Sequence, residues 1–565
     1  MSLLKLGDAL AEALPRLCAP AGASGPDPLV QDLIRTLAAG LERGLLELDF
    51  SAAMPEGLNP ELWPEAYRRA LLHSPLMVTA ETSEAAPEAP LVLVGDQLRW
   101  RRWHQQLELT LAELLDRARE PLGNPPTPLE LEAARRQALE AGLDPTQQQA
   151  VGAALNHRLL LLSGGPGTGK TTTVVEMLAA LLRREPSLRF QLAAPTGKAA
   201  ARLREAIERG SARLPGALGE ALLAAPCSTL HRLLESSGDR FGRNAQQPLG
   251  LDLLVIDEVS MVDLALMSAL LEALPRTSRL VLVGDPGQLP PVGPGPVLLE
   301  LMRPERLRHL GEAAVELGST YRNAGAIAAV AASLRGGGTS TLEAIRPRLQ
   351  ALTAADNLRW LQAPADQAPA QAIEALRHHQ RQLAALASAL PLGSSNEELR
   401  AEAAPLLAEL ECCVLLTPTL QGRWGVEGIH RQLLGDAAGL APAFWPLGTP
   451  VLNRRNLPEQ GLANGDVGVL VGGTEHPRVL FAGGLLLHPA RLGLLEPALA
   501  LTVHKSQGSQ YGTVLLLLPP GRDWEPRLVY TGLTRARDQA WLFTPAESPT
   551  RADTHHRGGA ALGLV

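Results

Sequence analysis

Four short apolar runs between residues 158 and 285 constrain this chain more than any other feature. They are "RLLLLSG", "RFQLAAPT", "LDLLVIDE" and "RLVLVGD", and helical stretches lie between them. That alternation predicts a parallel sheet covered by crossover helices. Each run stops in a polar or glycine-rich turn. In open α/β sheets ligands bind at such carboxyl ends, so the turns are where chemistry is expected. A second series follows: "CCVLLTPT", "ALALTVHKS", "GTVLLLLP", "RLVYTGLT" and "QAWLF". It predicts a second lobe of the same kind. Between its first two members, "GTPVLNRRNLPEQGLANGDVGVLVGG" is dense in glycine and turn pairs and reads as a small all-β insert. Residues 1–135 are rich in Ala, Leu and Glu at helical spacing, as in "LELTLAELLDRARE", and end at the linker-like "LGNPPTP". Residues 340–410 also read as helical.

One turn is specific. Gly164, Gly165, Pro166, Gly167, Thr168, Gly169, Lys170 and Thr171, followed by Thr172, match GxxxxGK[ST] between a strand and a helix. Glycines let backbone amides converge on phosphate oxygens, and the helix N-terminus adds positive potential. The chain has only four lysines: Lys5, Lys170, Lys198 and Lys505. Where arginine carries nearly all other positive charge, an internal lysine marks a place that needs a compact point charge. Lys170 is expected to reach the β and γ phosphates of ATP or GTP, and Thr171 to hold Mg²⁺. Asp257, at the end of "LLVI", is the second expected Mg²⁺ ligand, and Glu258 is placed to polarise the attacking water. Gln288, in "GDPGQLPPVG" behind Asp285, is placed to sense the γ-phosphate. These elements establish a nucleotide site and leave open what the energy drives.

The bulk properties narrow that. The net charge is −7, so any nucleic-acid site must be a local basic groove. Cys18, Cys227, Cys412 and Cys413 show neither metal spacing nor a disulfide framework. The first residues carry acids inside their apolar stretch, unlike a secretion signal, and no apolar run approaches the ~20 residues of a membrane helix. A cytoplasmic protein without membrane contact is expected.

The order of the turns resembles superfamily-one helicases, and within them the RecD family, the alpha subunit of exodeoxyribonuclease V. The likeness covers residues 140–545. It rests on "LDPTQQQAV", "GGPGTGKT", "QLAAPTGKAAARL", "STLHRLL", "DEVS", "GDPGQLPPVG", "STYRN", "LTVHKSQGSQY" and "VYTGLTRAR", in that order. It implies Gln147 as adenine reader and Tyr321 stacked on the adenine. Arg322 and Arg535 would be second-lobe arginines that stabilise charge on the transferred phosphoryl. Thr196, Lys198, His231, Thr502, His504 and Lys505 would line a groove for single-stranded DNA. The fold it implies is α/β: two RecA-like parallel-sheet lobes around an ATP cleft, a helical N-terminal domain and an SH3-like insert. The boundaries expected are a partner-docking domain over 1–135, a first lobe over 136–310 and a second lobe over 311–428 and 493–565, with the insert at 429–492. Within 235–250 the resemblance implies a strand-separating hairpin with Phe241 at its tip; the residues alone equally read as a surface loop. The activity implied is an ATP-dependent 5′-to-3′ DNA helicase, working on single strands and duplex ends with RecB-like and RecC-like subunits in a heterotrimer. It would serve double-strand-break repair and degradation of linear DNA, with no nuclease site of its own. A stand-alone helicase, and a non-motor ATPase or structural subunit, are the alternatives.

Overall fold

A computed structural model describes residues 3–18, 27–42, 44–52, 54–79, 89–238, 240–318, 325–335, 341–392, 396–521 and 524–546. The chain divides into two units, Met1–Arg322 and Asn323–Val565.

The first unit opens with more than helices. Strands β1 (Glu47–Asp49), β2 (Met77–Thr79), β3 (Leu91–Val94) and β4 (Gln97–Trp100) form a mixed sheet in the order β1-β4-β3-β2. Residues 1–135, read as helical, thus carry a small sheet beside their helices. A two-residue turn, Gly95–Asp96, joins β3 to β4, with Gly95 at φ 61°. The strands are three or four residues long, too short to break the helical periodicity around them. The helix Arg101–Arg119 follows. Its Leu107, Leu111, Leu114 and Ala118 recur at helical spacing and share a core with Leu254, Ile256, Leu280 and Leu282 farther along the chain. Arg117 is buried in that seam and donates to the carbonyls of Leu274, Pro275 and Ser278. The helix is thus part of the first lobe, and the expected break at 135 falls too late.

That lobe contains β5 (Leu159–Gly164), β6 (Phe190–Ala194), β7 (Cys227–Thr229), the hairpin strands β8 (Ser236–Ser237) and β9 (Arg240–Phe241), β10 (Leu253–Ile256), β11 (Arg279–Gly284) and β12 (Ala314–Leu317). The main sheet runs β12-β5-β11-β10-β6-β7, parallel throughout. Alternate residues face two cores. Leu159, Leu161, Leu254, Ile256, Leu280 and Leu282 point to one, and Leu160, Leu162, Leu253, Val255, Val281 and Val283 to the other. β12 pairs with β5, so the second lobe does not begin at 311. β8 and β9 do pair as a hairpin, but Phe241 lies half-buried against the first core and is not an exposed tip.

The second unit holds β13 (Leu358–Ala363) and β14 (Cys413–Thr417), then β15 (Pro450–Asn453), β16 (Val467–Val471), β17 (Arg478–Phe481), β18 (Leu485–Leu487) and β19 (Leu495–Pro497), and finally β20 (Ala500–Thr502), β21 (Tyr511–Leu517) and β22 (Ala536–Pro545). A parallel sheet runs β13-β22-β21-β14-β20, and an antiparallel one runs β18-β17-β16-β15-β19. The all-β insert exists, bounded by Pro450 and Pro497 rather than 429 and 492. Ile429 lies in a helix (Val426–Leu434) whose core partners include Leu415 and Leu515 of the parallel sheet. β13 lies inside the stretch expected to be helical. "RLVYTGLT", expected as a strand, is the helix Pro526–Leu533, with Pro526 in its first turn and Val529, Tyr530 and Leu533 buried.

Candidate active site and nucleic-acid interface

In the first sheet, β5 ends directly in the glycine turn, and the helix Lys170–Arg184 leaves it. Gly167 and Gly169 stand at φ 76° and 80°, where a side chain would be strained. A Cβ on Gly164 would lie 2.7 Å from the Thr168 hydroxyl, so the turn closes only around glycine. Lys170 Nζ folds back and donates to the carbonyls of Gly164 (2.7 Å) and Gly165 (2.9 Å). The ammonium therefore stands inside the loop, where phosphate oxygens take the place of those carbonyls in nucleotide-binding loops of this kind. Thr171 is half-buried on the first helical turn and Thr172 is exposed. Pro166 lies in the turn itself.

The neighbouring strand tips supply carboxylates. β11 lies between β5 and β10, and Gly284 pairs with Ser163. Asp257 follows β10, and one of its carboxylate oxygens accepts the Glu258 N–H at 2.9 Å. Burial, reinforced by the Glu258 carboxylate and opposed by Lys170, raises the Asp257 pKa to about 6. Glu258 itself has φ 54°, a left-handed conformation rare for a non-glycine residue. At the tip of β11, Asp285 is 1% exposed and accepts the Gly287 N–H, while Gln288 is 4% exposed with its Oε1 unpartnered. Ser260 Oγ is likewise buried and unpartnered. A buried acceptor and a buried hydroxyl at the strand tips, beside a carboxylate that resists ionising alone, suit a site completed by a polar ligand and a cation. Lys170, Thr171, Asp257 and Glu258 provide the donor set for such a group.

Gln147 sits elsewhere than a free reader would. It is buried at the start of the helix Pro145–Asn156, where Oε1 accepts the Asp144 N–H and Nε2 donates to the Thr168 carbonyl at 3.2 Å. It caps its own helix and braces the phosphate turn. Tyr321 and Arg322 lie outside the described residues.

On the same sheet, Ala194 of β6 pairs with Thr229 of β7, which sets the turns after them side by side. Thr196 caps the helix Gly197–Ser211 by accepting the Ala199 N–H, Lys198 stands on its first turn, and His231 is exposed on the short helix after β7. In the second unit, Thr417 of β14 pairs with Thr502 of β20. Thr502 Oγ1 accepts the Lys505 N–H, His504 is exposed, and Lys505 Nζ is paired with Glu496 at 2.7 Å. Arg535 is 3% exposed and donates to the carbonyls of Thr531 and Ser509. Thr417 and Thr419 carry buried, unpartnered hydroxyls at the end of β14. Sequence reasoning missed both. Their signal is the polar "TPT" that ends an apolar run, the same rule that locates Asp257.

Known proteins bear on this arrangement. Residues 147–294 match the AAA domain model, and residues 497–543 match the UvrD-like helicase C-terminal domain. The chain is 34% identical to the RecBCD enzyme subunit RecD of Mycolicibacterium smegmatis over 96% of this chain and 94% of that one. It is 33% identical to the ATP-dependent RecD2 DNA helicase of Deinococcus radiodurans over 70% of this chain and 48% of that protein. A Bacteroides Pif1 bound to single-stranded DNA superposes with a TM-score of 0.36 at 17% identity, over 71% of this chain and 92% of that one. No helix among the described residues is long and apolar enough to cross a membrane. With one third of its residues shared along nearly the whole of a RecD subunit, and a nucleotide-binding turn at the tip of its first parallel sheet, this chain belongs to the RecD family.

Proposed function

We propose that the chain is an ATP-dependent 5′-to-3′ DNA helicase and translocase that works as the RecD-like subunit of a complex with RecB-like and RecC-like chains. The observation that carries this reading is that one sheet edge holds two kinds of turn. The phosphate turn and its carboxylates end β5, β10 and β11, and the Thr196–Lys198 and His231 turns end β6 and β7. A rigid sheet that meets nucleotide at some tips and a strand at others can transmit a change from one to the other.

In this reading Lys170 neutralises charge between the β and γ phosphates, and the glycine-turn amides orient them. Thr171 and Asp257 hold Mg²⁺, which when bound supplies charge neutralisation to the phosphates. Glu258 takes a proton from the attacking water, and Gln288 fixes the water or the γ-phosphate. Arg535 and Arg322 stabilise charge on the transferred phosphoryl. Tyr321 and the Gln147 region receive the adenine. Thr196, Lys198, His231, Thr502, His504 and Lys505 contact the strand.

The subunit reading is favoured over a stand-alone helicase because the likeness to the RecD subunit takes in 96% of the chain, against 70% for the RecD2 helicase. The test is ATP hydrolysis with and without single-stranded DNA, on the chain alone and with co-purified partners. The expected result is stimulation by DNA. Lys198→Ala and Lys505→Ala should each flatten the salt dependence of binding by about 0.7 log unit for every phosphate they cease to neutralise. Hydrolysis indifferent to DNA would make the chain a nucleotide switch.

A further inference from the structure

The insert sheet ends against the turn that carries Lys505, and one carboxylate makes the junction. Glu496, in the middle of β19, accepts Lys505 Nζ with Oε2 at 2.7 Å. Its Oε1 accepts Arg454 Nη1. Arg454 follows β15, the partner of β19 in which Leu452 stands opposite Glu496. The turn beyond is fixed from within. Asn453 is fully buried, and its amide donates to the carbonyls of Arg455 (2.6 Å) and Ala463 (2.7 Å). On the other side Thr502 Oγ1 accepts the Lys505 N–H. Two cations from separate backbone frames therefore converge on one carboxylate. All three side chains keep a quarter to somewhat over a third of their surface in water.

That geometry is unusual as a device for stability. Ion pairs this exposed contribute little, since water and salt screen them. A carboxylate shared by two cations leaves one positive charge uncompensated. A phosphate diester offers what Glu496 offers, two anionic oxygens at similar spacing, and it arrives with its neighbours along a strand. His430 is a further titratable group beside Glu496 and Lys505. It accepts the Ala500 N–H through Nε2 and is held neutral by burial, so it adds no competing positive charge.

We propose that Glu496 is a built-in competitor for the DNA phosphate: it holds Lys505 and Arg454 between strand contacts and takes them back as the strand advances. The inference rests on the strand-binding role proposed for Lys505. It makes Glu496 a positioning residue whose removal strengthens the grip on DNA. A motor must release each phosphate as well as bind it, and an internal anion lowers the cost of letting go.

The experiment uses the full chain with its co-purified partners and a fluorescent oligothymidylate. Affinity and dissociation rate are measured for wild type, Glu496→Gln and Glu496→Asp across a salt series, with thermal melting as the check on folding. The glutamine variant should bind about fivefold more tightly and dissociate more slowly. The aspartate variant, with a shortened reach, should fall between it and wild type. Both gains should vanish when Lys505→Ala and Arg454→Ala are added, because the effect acts through those cations. Neither variant binding more tightly than wild type would overturn the proposal, and so would a gain that survives removal of both cations. A wild-type chain that binds no oligothymidylate would overturn this proposal together with the strand-binding reading, and is recognised by the behaviour of the wild type alone.

Discussion

Gln147 and Thr168 are joined across the nucleotide site: the glutamine amide donates to the threonine carbonyl at 3.2 Å while its own oxygen caps the helix below. The side chain thus has two separable tasks. Glu in place of Gln can still accept the Asp144 N–H and complete the capping box, but it has no N–H for the Thr168 carbonyl. Gln147→Glu should therefore bind ATP about tenfold more weakly and also melt below wild type, because a carboxylate now faces a carbonyl in a buried place. Unchanged affinity in Gln147→Glu would show that capping is its only task.

The buried guanidinium of Arg117 ties the helix Arg101–Arg119 to the 274–278 turn of the first sheet through three carbonyls. Arg117→Ala leaves those acceptors buried without a donor and should cost about 2–4 kcal/mol in denaturant unfolding of the chain. For the same reason, deleting residues 1–110 removes Leu107 from the core shared with Leu254 and Leu280 and should unfold the first unit. A truncated chain that still binds nucleotide at wild-type affinity would show that this helix is an appendage.

How far the sequence discloses this molecule follows from range. β5, β6, β10 and β11 announce themselves because they are buried on both faces, and an apolar run that ends in Asp or Gly needs no tertiary knowledge to be read. Lys170, Asp257 and Glu258 are found through those strand ends. "RLVYTGLT" misleads because Val, Tyr and Thr favour strands locally, while the helix is imposed by Pro526 in its first turn and by burial of Val529 and Leu533 on one side. β13 is hidden inside an Ala-rich helical stretch, since its partner β22 lies some 180 residues away. The second task of Gln147 spans 21 residues and the clasp of Glu496 on Arg454 spans 42, so no helical or strand periodicity encodes them.

His430 gives the second unit an acid-sensitive point. Burial holds its pKa down at about 4, against an ordinary 6.5, as it accepts the Ala500 N–H in the neutral form. The unfolded chain then binds the proton more readily. Stability from this group is present above pH 6.5 and is lost as pH falls from 6.5 toward 4, by up to about 3 kcal/mol. Glutamine retains the acceptor and does not titrate. Melting temperature followed from pH 7.5 to 4.5 should decline less steeply in His430→Gln than in wild type; parallel curves would remove His430 as the cause.

The motor reading turns on three positions whose loss should have different signatures. Lys170 stands inside the phosphate turn, bonded to the Gly164 and Gly165 carbonyls. Lys170→Gln removes the charge proposed to meet the β and γ phosphates, so binding and hydrolysis should fall together. Arg535 is held within the second unit by the Thr531 and Ser509 carbonyls, and a proposed role on the phosphoryl group requires it to exchange those acceptors for phosphate oxygens. Arg535→Ala and Arg322→Ala should leave most nucleotide affinity, because the glycine turn and Lys170 remain. Hydrolysis should fall by roughly 10³, the scale of a missing arginine finger, and DNA stimulation with it. Arg535→Lys separates chemistry from packing: it keeps the charge and much of the buried stem but not the planar fork, so it should melt near wild type and still hydrolyse slowly. Titrations of nucleotide affinity, DNA-stimulated turnover and melting on all four variants give the answer. Near-normal turnover in both Arg322→Ala and Arg535→Ala would mean that neither arginine acts on the phosphate, and the chain would then be a nucleotide switch built on its first sheet alone.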